Sequence, residues 1–433
     1  MRCKKNYSIS LTETFKTKLL GWAQQFHEVI WLDSNHYQQN HTSYQAILAV
    51  DAFTAIKTDA FGAFKKLEEY QYTSKDWLFG YLTYDVKNDV ENLSSNNFDG
   101  LHFPDLYFFQ PKKVFLFSET EVTLQYLKCV EDEIETDWQE ILNFSEEKKQ
   151  LSKEQLIKIK LRTSKDSYFE KVSQMLHHIE RGDIYEANFC QEFFAENVLL
   201  DPLSTFFHLN EISKPPFATF LKLQHGYALS ASPERYIKRI GNKVISQPIK
   251  GTAKRLPHDE DDKKMAAELK KNPKEYSENI MITDLVRNDL SRFAVKGSVV
   301  VEELCKVYTF KQVHQLISTV SCEVETHLSS VEILRNTFPM GSMTGAPKIS
   351  AMKIIEALED TKRGLYSGTV GYFTPQGDFD FNVIIRSILY NKQNEYVSFS
   401  VGGAITANSI PENEYEECLL KAKAMREALE QGN

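Results

Sequence analysis

The 433-residue sequence predicts an α+β fold with largely antiparallel sheets, and three observations predict it. Strand-like segments arrive in runs, hairpin-type turns such as "PQGD" join neighbours within a run, and helical periodicity falls between the runs. A regular βαβ alternation would instead put a helix after every strand.

In chain order, the first 145 residues mix short strands ("EVIWLDS", "KVFLFS", "EVTLQYLKCV") with a helical patch, "FKTKLLGWAQQF". The charged interval "SEEKKQLSKEQ", 145–155, reads either as a solvated helix or as a seam. A seam there would divide a divergent N-terminal region, 1–150, from a catalytic region, 151–433, packed together as one unit. Beyond it, Ser167 and Glu170 have capping-box spacing before Tyr168, Val172, Met175, Leu176 and Ile179, a helix stopped by Gly182. Strands follow in "EANFCQEFF", "FATFLKL", "YALSASPERYI" and "NKVISQPI", the last turning at Gly251. Helical periodicity then runs through "MAAEL" and "SENIMITDLV". The last third holds "GSMTGAPKISAMKIIEALE", "GLYSGTVGYF", "FNVIIRSILY", "YVSFSVGGAI" and a closing helix from about Pro411 whose apolar face is Tyr415, Cys418, Ala422, Met425 and Leu429.

Composition narrows the class. Hydrophobic residues at 42% and charged residues at 26% are ordinary for a globular protein. A formal charge of -9 without a basic stripe argues against a nucleic-acid partner. Six cysteines without a CxxC pair form neither a disulfide framework nor a zinc site. No apolar h-region opens the chain and no apolar run is long enough to span a bilayer, so a soluble cytoplasmic protein without membrane contact is expected.

Several residues carry chemistry. In "GSMTGAPK", 341–348, Thr344 has N-cap character and Pro347 suits a first helical turn. The segment is either an ordinary capped turn or a helix start offering N–H groups to an anion. Gly402 and Gly403 end the strand "YVSFSV", where a ligand can approach the backbone. Glu417 and Lys421 share a helix face, either as an exposed pair or as part of a site. Glu278 and Glu417, on separate helices, are of the type that can share Mg²⁺. Arg386 interrupts an apolar strand, as an edge arginine or as a bidentate carboxylate clamp. Glu234 ends a strand, and Lys250 stands beside Gly251. No Walker loop or dinucleotide fingerprint is present. Acids, a lysine, an arginine and glycine-rich turns together suit a small dianionic metabolite better than a polymer.

These residues fall within "GDIYEANF", "ASPERY", "PIKGT", "SENIMITDLVRNDLSR", "VHQLIS", "GSMTGAPK", "RGLYSG", "IIRS", "GGAI" and "EYEECLLKAKA". Over about Asp166 to Arg426 the sequence thereby resembles the chorismate-utilising enzymes, which include anthranilate synthase component I and the isochorismate and salicylate synthases. The resemblance implies an anthranilate synthase component I-like fold of two facing antiparallel sheets flanked by helices, with chorismate and Mg²⁺ bound in a cleft. It implies Glu278 and Glu417 as metal carboxylates and His314 at the edge of the site, among its catalytic residues. It further implies Thr252, Gly341, Ser342, Met343, Thr344, Tyr366, Arg386, Gly402, Gly403 and Lys421 as substrate-binding positions.

Lysine in "PIKGT" is similar to the aminodeoxychorismate synthase branch, where anthranilate synthases show "PIAGT". By that resemblance Lys250 attacks ring C2, Glu234 protonates the departing C4 hydroxyl, and ammonia adds at C4. The product would be 4-amino-4-deoxychorismate, the precursor of p-aminobenzoate and folate. Ammonia would come from a separate glutamine amidotransferase subunit. Relatives hold tryptophan in the N-terminal half, and "SKPPFATFL" lies where that pocket is lined. Three departures stand out: Glu186 in place of glutamine, Asn279 in place of histidine, and "GTAKR" without the usual arginine-proline. The alternatives are an anthranilate synthase component I and, from another class, a non-catalytic chorismate- or tryptophan-binding protein.

Overall fold

The computed structural model describes residues 2–37, 41–145, 157–311 and 313–431. All of the expected seam at 145–155 except Ser145 lies outside them. Among the described residues every strand pair is antiparallel, and the strands form one hydrogen-bonded network that folds into two facing sheets. The hinge is a pair of long strands, Ala46–Thr58 and Leu106–Phe117. Lys113–Phe117 continues into Glu121–Leu127, whereas Leu106–Phe109 pairs with Leu78–Leu82.

From this hinge the first sheet runs through Glu28–Asp33, Phe217–Leu223, Gly226–Ser232, Ser387–Asn391 and Tyr396–Thr406 to Glu186–Ala195. The second runs from Leu78–Leu82 through Thr369–Phe373, Phe379–Asn382, Arg235–Ile240 and Lys243–Gln247 to Val313–Glu323. Glu28–Asp33 and Leu78–Leu82 thus each pair with a strand from beyond residue 200.

Period-2 alternation decides what each sheet face buries. Ile30, Ile47 and Ala49 face the second sheet and share a core with Phe79, Phe108, Ile237 and Phe381. Their neighbours Val29, Trp31, Leu48 and Val50 point the other way, packing with Leu19 and Leu20 of helix Glu13–Ala23 and Met425 and Leu429 of helix Pro411–Gln431. The closing helix buries Tyr415, Cys418, Ala422, Met425 and Leu429, as its spacing predicts. Described cysteines are all free, and no described helix is long and apolar enough to cross a membrane.

Four local expectations are corrected. Helix Lys165–Glu180 is capped by Ser164, whose side chain accepts from Ser167 N–H, so it starts one turn before the Ser167–Glu170 box. Thr344 caps no helix: Gly345–Ala346 pairs with Glu186–Ala187 and delays the helix to Lys348–Leu358. Only glycine fits at 345, because a Cβ there would lie 2.1 Å from the Glu186 carbonyl oxygen. The strand does not end at Gly402 and Gly403 but continues to Thr406, since Glu186–Ala195 pairs with it throughout. Finally, Gly251 does not terminate its strand. Ile249–Lys254 bulges there, with Ile249 opposite Ile317 and Thr252 opposite Gln315, and Gly251 takes φ +95°.

Phe108 is fully buried between the sheets, its ring 5.7 Å from Phe373 and 6.1 Å from Phe381. Phe108→Ala is expected to lower stability in urea unfolding by about 3–5 kcal/mol. Phe53→Ala, on a side chain 54% exposed, should change it by less than about 0.5 kcal/mol.

Candidate active site

Lys250 sits in the bulge, one residue before the left-handed glycine, which turns its side chain away from the ladder. Its Nζ lies 3.1 Å from Glu186 Oε1 on the facing strand Glu186–Ala195. Both groups are nearly buried, at 13% and 2% side-chain exposure. Burial pulls the Lys250 pKa down, but Glu186, Glu278 and Glu234 more than offset it, and the net direction is upward.

Glu234 follows Pro233 in the gap between strands Gly226–Ser232 and Arg235–Ile240. Its carboxyl is buried and accepts a 2.7 Å hydrogen bond from Ser342 Oγ. Burial pushes its pKa up to about 7, against the opposing pull of Ser342, Lys250 and Arg386. A carboxyl poised there holds or releases a proton near neutrality, as a general acid must.

Arg386 lies where the sheet breaks between Phe379–Asn382 and Ser387–Asn391, with φ +51°. For a side chain other than glycine this left-handed backbone costs roughly 1–2 kcal/mol. Among the described residues its guanidinium has no hydrogen bond or ion pair, only the longer-range field of Glu234. An uncommitted guanidinium beside a neutralisable acid is suited to an anionic ligand.

A second acidic group borders Lys250. Glu278 projects from helix Pro273–Ser291, and burial followed by Glu186 raises its pKa to about 7 despite Lys250 and Lys274. Glu417 ion-pairs with Lys421 at 2.7 Å, and Lys421 Nζ also donates to the Gly402 carbonyl at 3.0 Å. Lys274 lies 3.9 Å from Glu278 and 3.6 Å from Glu414, spanning the two helices. Glu275 and Glu414 are members that sequence reasoning missed; each lies three residues before a chosen acid and so on the same helix face.

For Mg²⁺ the test is the donor set. Glu278 Oε1 is buried with no hydrogen-bond partner, and oxygen-only donors with few carboxylates suit this ion. No three His, Cys, Asp or Glu side chains among the described residues converge closely enough to hold a metal unaided. Glu278 therefore has the donor chemistry for a Mg²⁺ that keeps water and ligand oxygens, whereas the Glu417 carboxylate is paired with Lys421.

The remaining positions divide. Ser342 joins Glu234, while Gly341 and Met343 belong to the same short turn and the Met343 carbonyl accepts from Arg363 at 2.6 Å. The Thr344 hydroxyl is taken by the Met340 and Gly341 carbonyls. The Tyr366 hydroxyl accepts from Cys190 Sγ at 3.6 Å, and Thr252 is an exposed strand residue. His314 is buried against Asp262, 2.9 Å from Nε2, and Thr309, 2.9 Å from Nδ1, and bonds to none of the acids or the lysine. Asn279 points inward: its Nδ2 donates to the Lys250 and Leu316 carbonyls at 3.1 and 3.0 Å, anchoring the bulge. A separate pocket lies between Leu32, Asp33, Tyr44, Phe217, Arg235 and Asn382. Asp33 there pairs with buried Lys16 at 2.7 Å.

Two facing antiparallel sheets thus place a nearly buried lysine, two carboxyls with pKa values raised to about 7 and an arginine without an ion pair among the described residues, groups whose chemistry suits a small anion. The sequence matches the family described as chorismate binding enzyme over residues 27–427, and the chain belongs to that family. It is 40% identical over 267 residues to aminodeoxychorismate synthase component 1 of Escherichia coli (strain K12), covering 62% of this chain and 58% of that one. The match thus spans less than two thirds of that relative. To the protein of the same name in Bacillus subtilis (strain 168) it is 30% identical over 362 residues, 81% of this chain and 76% of that one. The crystal structure of anthranilate synthase component I from Streptococcus pneumoniae TIGR4 superposes with TM-score 0.78 at 25% identity, covering 90% of this chain and 95% of that one.

Glu234 should titrate near pH 7 when followed by infrared or isotope-edited NMR spectroscopy of its carboxyl. The Ser342 hydroxyl stabilises the carboxylate form, so Ser342→Ala is expected to move that titration to higher pH.

Proposed function

We propose that the protein is the chorismate-aminating subunit of an aminodeoxychorismate synthase, a transferase that makes 4-amino-4-deoxychorismate for p-aminobenzoate and folate synthesis. The observation that carries this reading is Lys250, an amine held among acids opposite the buried carboxyl of Glu234. The 40% identity to a relative named for that activity supports it. Anthranilate synthases resemble "PIAGT" where this chain has "PIKGT", so the lysine favours the aminodeoxychorismate reading over theirs.

Arg386 supplies a free cation for a substrate carboxylate, and the edge of strand Tyr396–Thr406 near Gly402 adds backbone donors. Glu278 and Glu417 would hold Mg²⁺, which when bound offsets the negative charge that substrate and carboxylates bring into a water-poor cleft. The neutral amine of Lys250 attacks C2 of the ring. The double bonds shift, the C4–O bond breaks, and Glu234 delivers its proton to the departing oxygen as water. Ammonia then adds at C4 and the C2–N bond breaks, releasing Lys250. The proton shed by the incoming nitrogen returns to Glu234, so the acid is regenerated. Ammonia is supplied by a separate glutamine amidotransferase subunit, and the cytoplasm is the compartment of such a pair.

The pocket at Asp33 and Phe217 has the mixed apolar and charged lining that suits an aromatic amino acid, and we assign it to tryptophan.

Incubation with chorismate, Mg²⁺ and ammonium is expected to yield 4-amino-4-deoxychorismate; anthranilate as the main product would sink the reading. Lys250→Ala should lower the rate by at least about 100-fold. Glu278→Ala should raise the Mg²⁺ concentration needed for half-maximal rate.

A further inference from the structure

Lys250 cannot act as a nucleophile while it is an ammonium, and its surroundings favour the ammonium. A lysine with an ordinary pKa of about 10.4 is neutral in only about one molecule in a few thousand at pH 7. The reaction therefore needs an acceptor for one Lys250 proton, and a place to keep that proton until the amine is released.

Five carboxylates act on Lys250 or feel its charge: Glu186 on the facing strand, Glu234 before strand Arg235–Ile240, Glu275 and Glu278 on helix Pro273–Ser291, and Glu417 on the closing helix. The other cations near these acids are Lys274, Lys421 and Arg386. Four of the acids are committed elsewhere or out of reach. Glu234 is bonded to Ser342 and serves as the acid. Glu417 is paired with Lys421, and Glu275 and Glu278 face Lys274. Among the described residues Glu186 is the one carboxylate within 4 Å of Lys250 Nζ. It is 1% exposed, and its Oε2 is buried with no hydrogen-bond partner. One oxygen of this carboxylate thus faces the ammonium at 3.1 Å while the other meets no donor, which places the group to accept a proton directly from Nζ.

We propose that Glu186 is a catalytic base that takes the proton of Lys250, stores it, and returns it. This rests on the reading of Lys250 as the nucleophile. In the step, an Nζ–H bond breaks, a Glu186 Oε1–H bond forms, and the freed electron pair on Nζ makes the bond to ring C2. Glu234 separately protonates the leaving hydroxyl. When ammonia has added at C4 and the C2–N bond breaks, Lys250 leaves as a neutral amine and recovers its proton from Glu186. The cycle consumes substrate and ammonia and releases product and water, with both carboxyls restored. The same arrangement explains why a buried acid at 186 is tolerated: its charge is matched by Lys250 in the resting state and absent in the reacting one.

The test is the rate at which Lys250 becomes covalently attached to chorismate in a single turnover with Mg²⁺ and without ammonia, followed by mass spectrometry from pH 6 to pH 10. In the wild type this rate should fall roughly tenfold per pH unit above about pH 7, because Glu234 must still carry the proton it gives to the leaving hydroxyl. Glu186→Gln keeps the shape and a hydrogen-bond acceptor but cannot take the proton. Its rate at pH 7 should fall by about 10²- to 10⁴-fold and stay nearly independent of pH between 7 and 9, because the neutral amine that solvent now produces rises as the protonated Glu234 declines. Glu186→Asp should restore the wild-type fall above pH 7 at a reduced rate. Chorismate affinity of each variant, measured by calorimetry, reports whether the cleft is intact. An adduct that forms in Glu186→Gln at a wild-type rate, with the wild-type pH profile, overturns the inference while leaving Lys250 as the nucleophile. A wild-type protein that turns over chorismate with no adduct on Lys250 at any pH overturns the nucleophile reading, and this inference with it.

Discussion

Charge matching between nearly buried side chains is the constraint on which the arrangement of this molecule turns. Lys250 and Glu186 meet at 3.1 Å with little solvent between them, and each would be costly to bury without the other. Around this pair the acids sort by environment. Glu234 and Glu278 are buried and held near neutrality, whereas Glu417 keeps its charge beside Lys421. Acids that can become neutral, beside an arginine without an ion pair among the described residues, repel an anion less than uniformly ionised acids would.

The scaffold enforces that arrangement with a small number of backbone devices. The bulge at Gly251 lifts Lys250 out of the ladder, and Asn279 ties the Lys250 carbonyl to the helix that also carries Glu278. The short pairing of Gly345–Ala346 with Glu186–Ala187 fixes the acid from behind and brings Ser342 to Glu234 from the same loop. Lys421 reaches from the closing helix to Gly402, which couples the Glu417 side of the cleft to the strand opposite Cys190. The pairing of Gly345–Ala346 with Glu186–Ala187 and the Ser342–Glu234 bond join segments more than 100 residues apart, so these contacts depend on the tertiary fold.

Much of the fold was legible because burial imposes periodicity. The closing helix shows its buried face at Tyr415, Cys418, Ala422, Met425 and Leu429 in the spacing alone, and the "PQGD" hairpin joins Thr369–Phe373 to Phe379–Asn382 as its residues suggest. Element ends were read less well. Ser164 rather than Ser167 caps its helix, and Thr344 loses its capping role to a strand pairing that no local pattern announces. At Gly402 and Gly403 the glycines looked like a strand end, but ten residues of Glu186–Ala195 hold the strand extended past them.

By itself the sequence determined the secondary-structure class and, through its ordered motifs, the family to which the chain belongs. It also singled out Lys250, Glu234, Arg386, Glu278 and Glu417 as candidate site residues. Tertiary structure alone decided which of them share an electrostatic environment, because proton affinity depends on burial and on charges brought near from distant segments. Only there does Glu234 become an acid poised near neutrality, and only there does Glu186, in sequence no more than an unusual residue in a strand, meet the amine of Lys250.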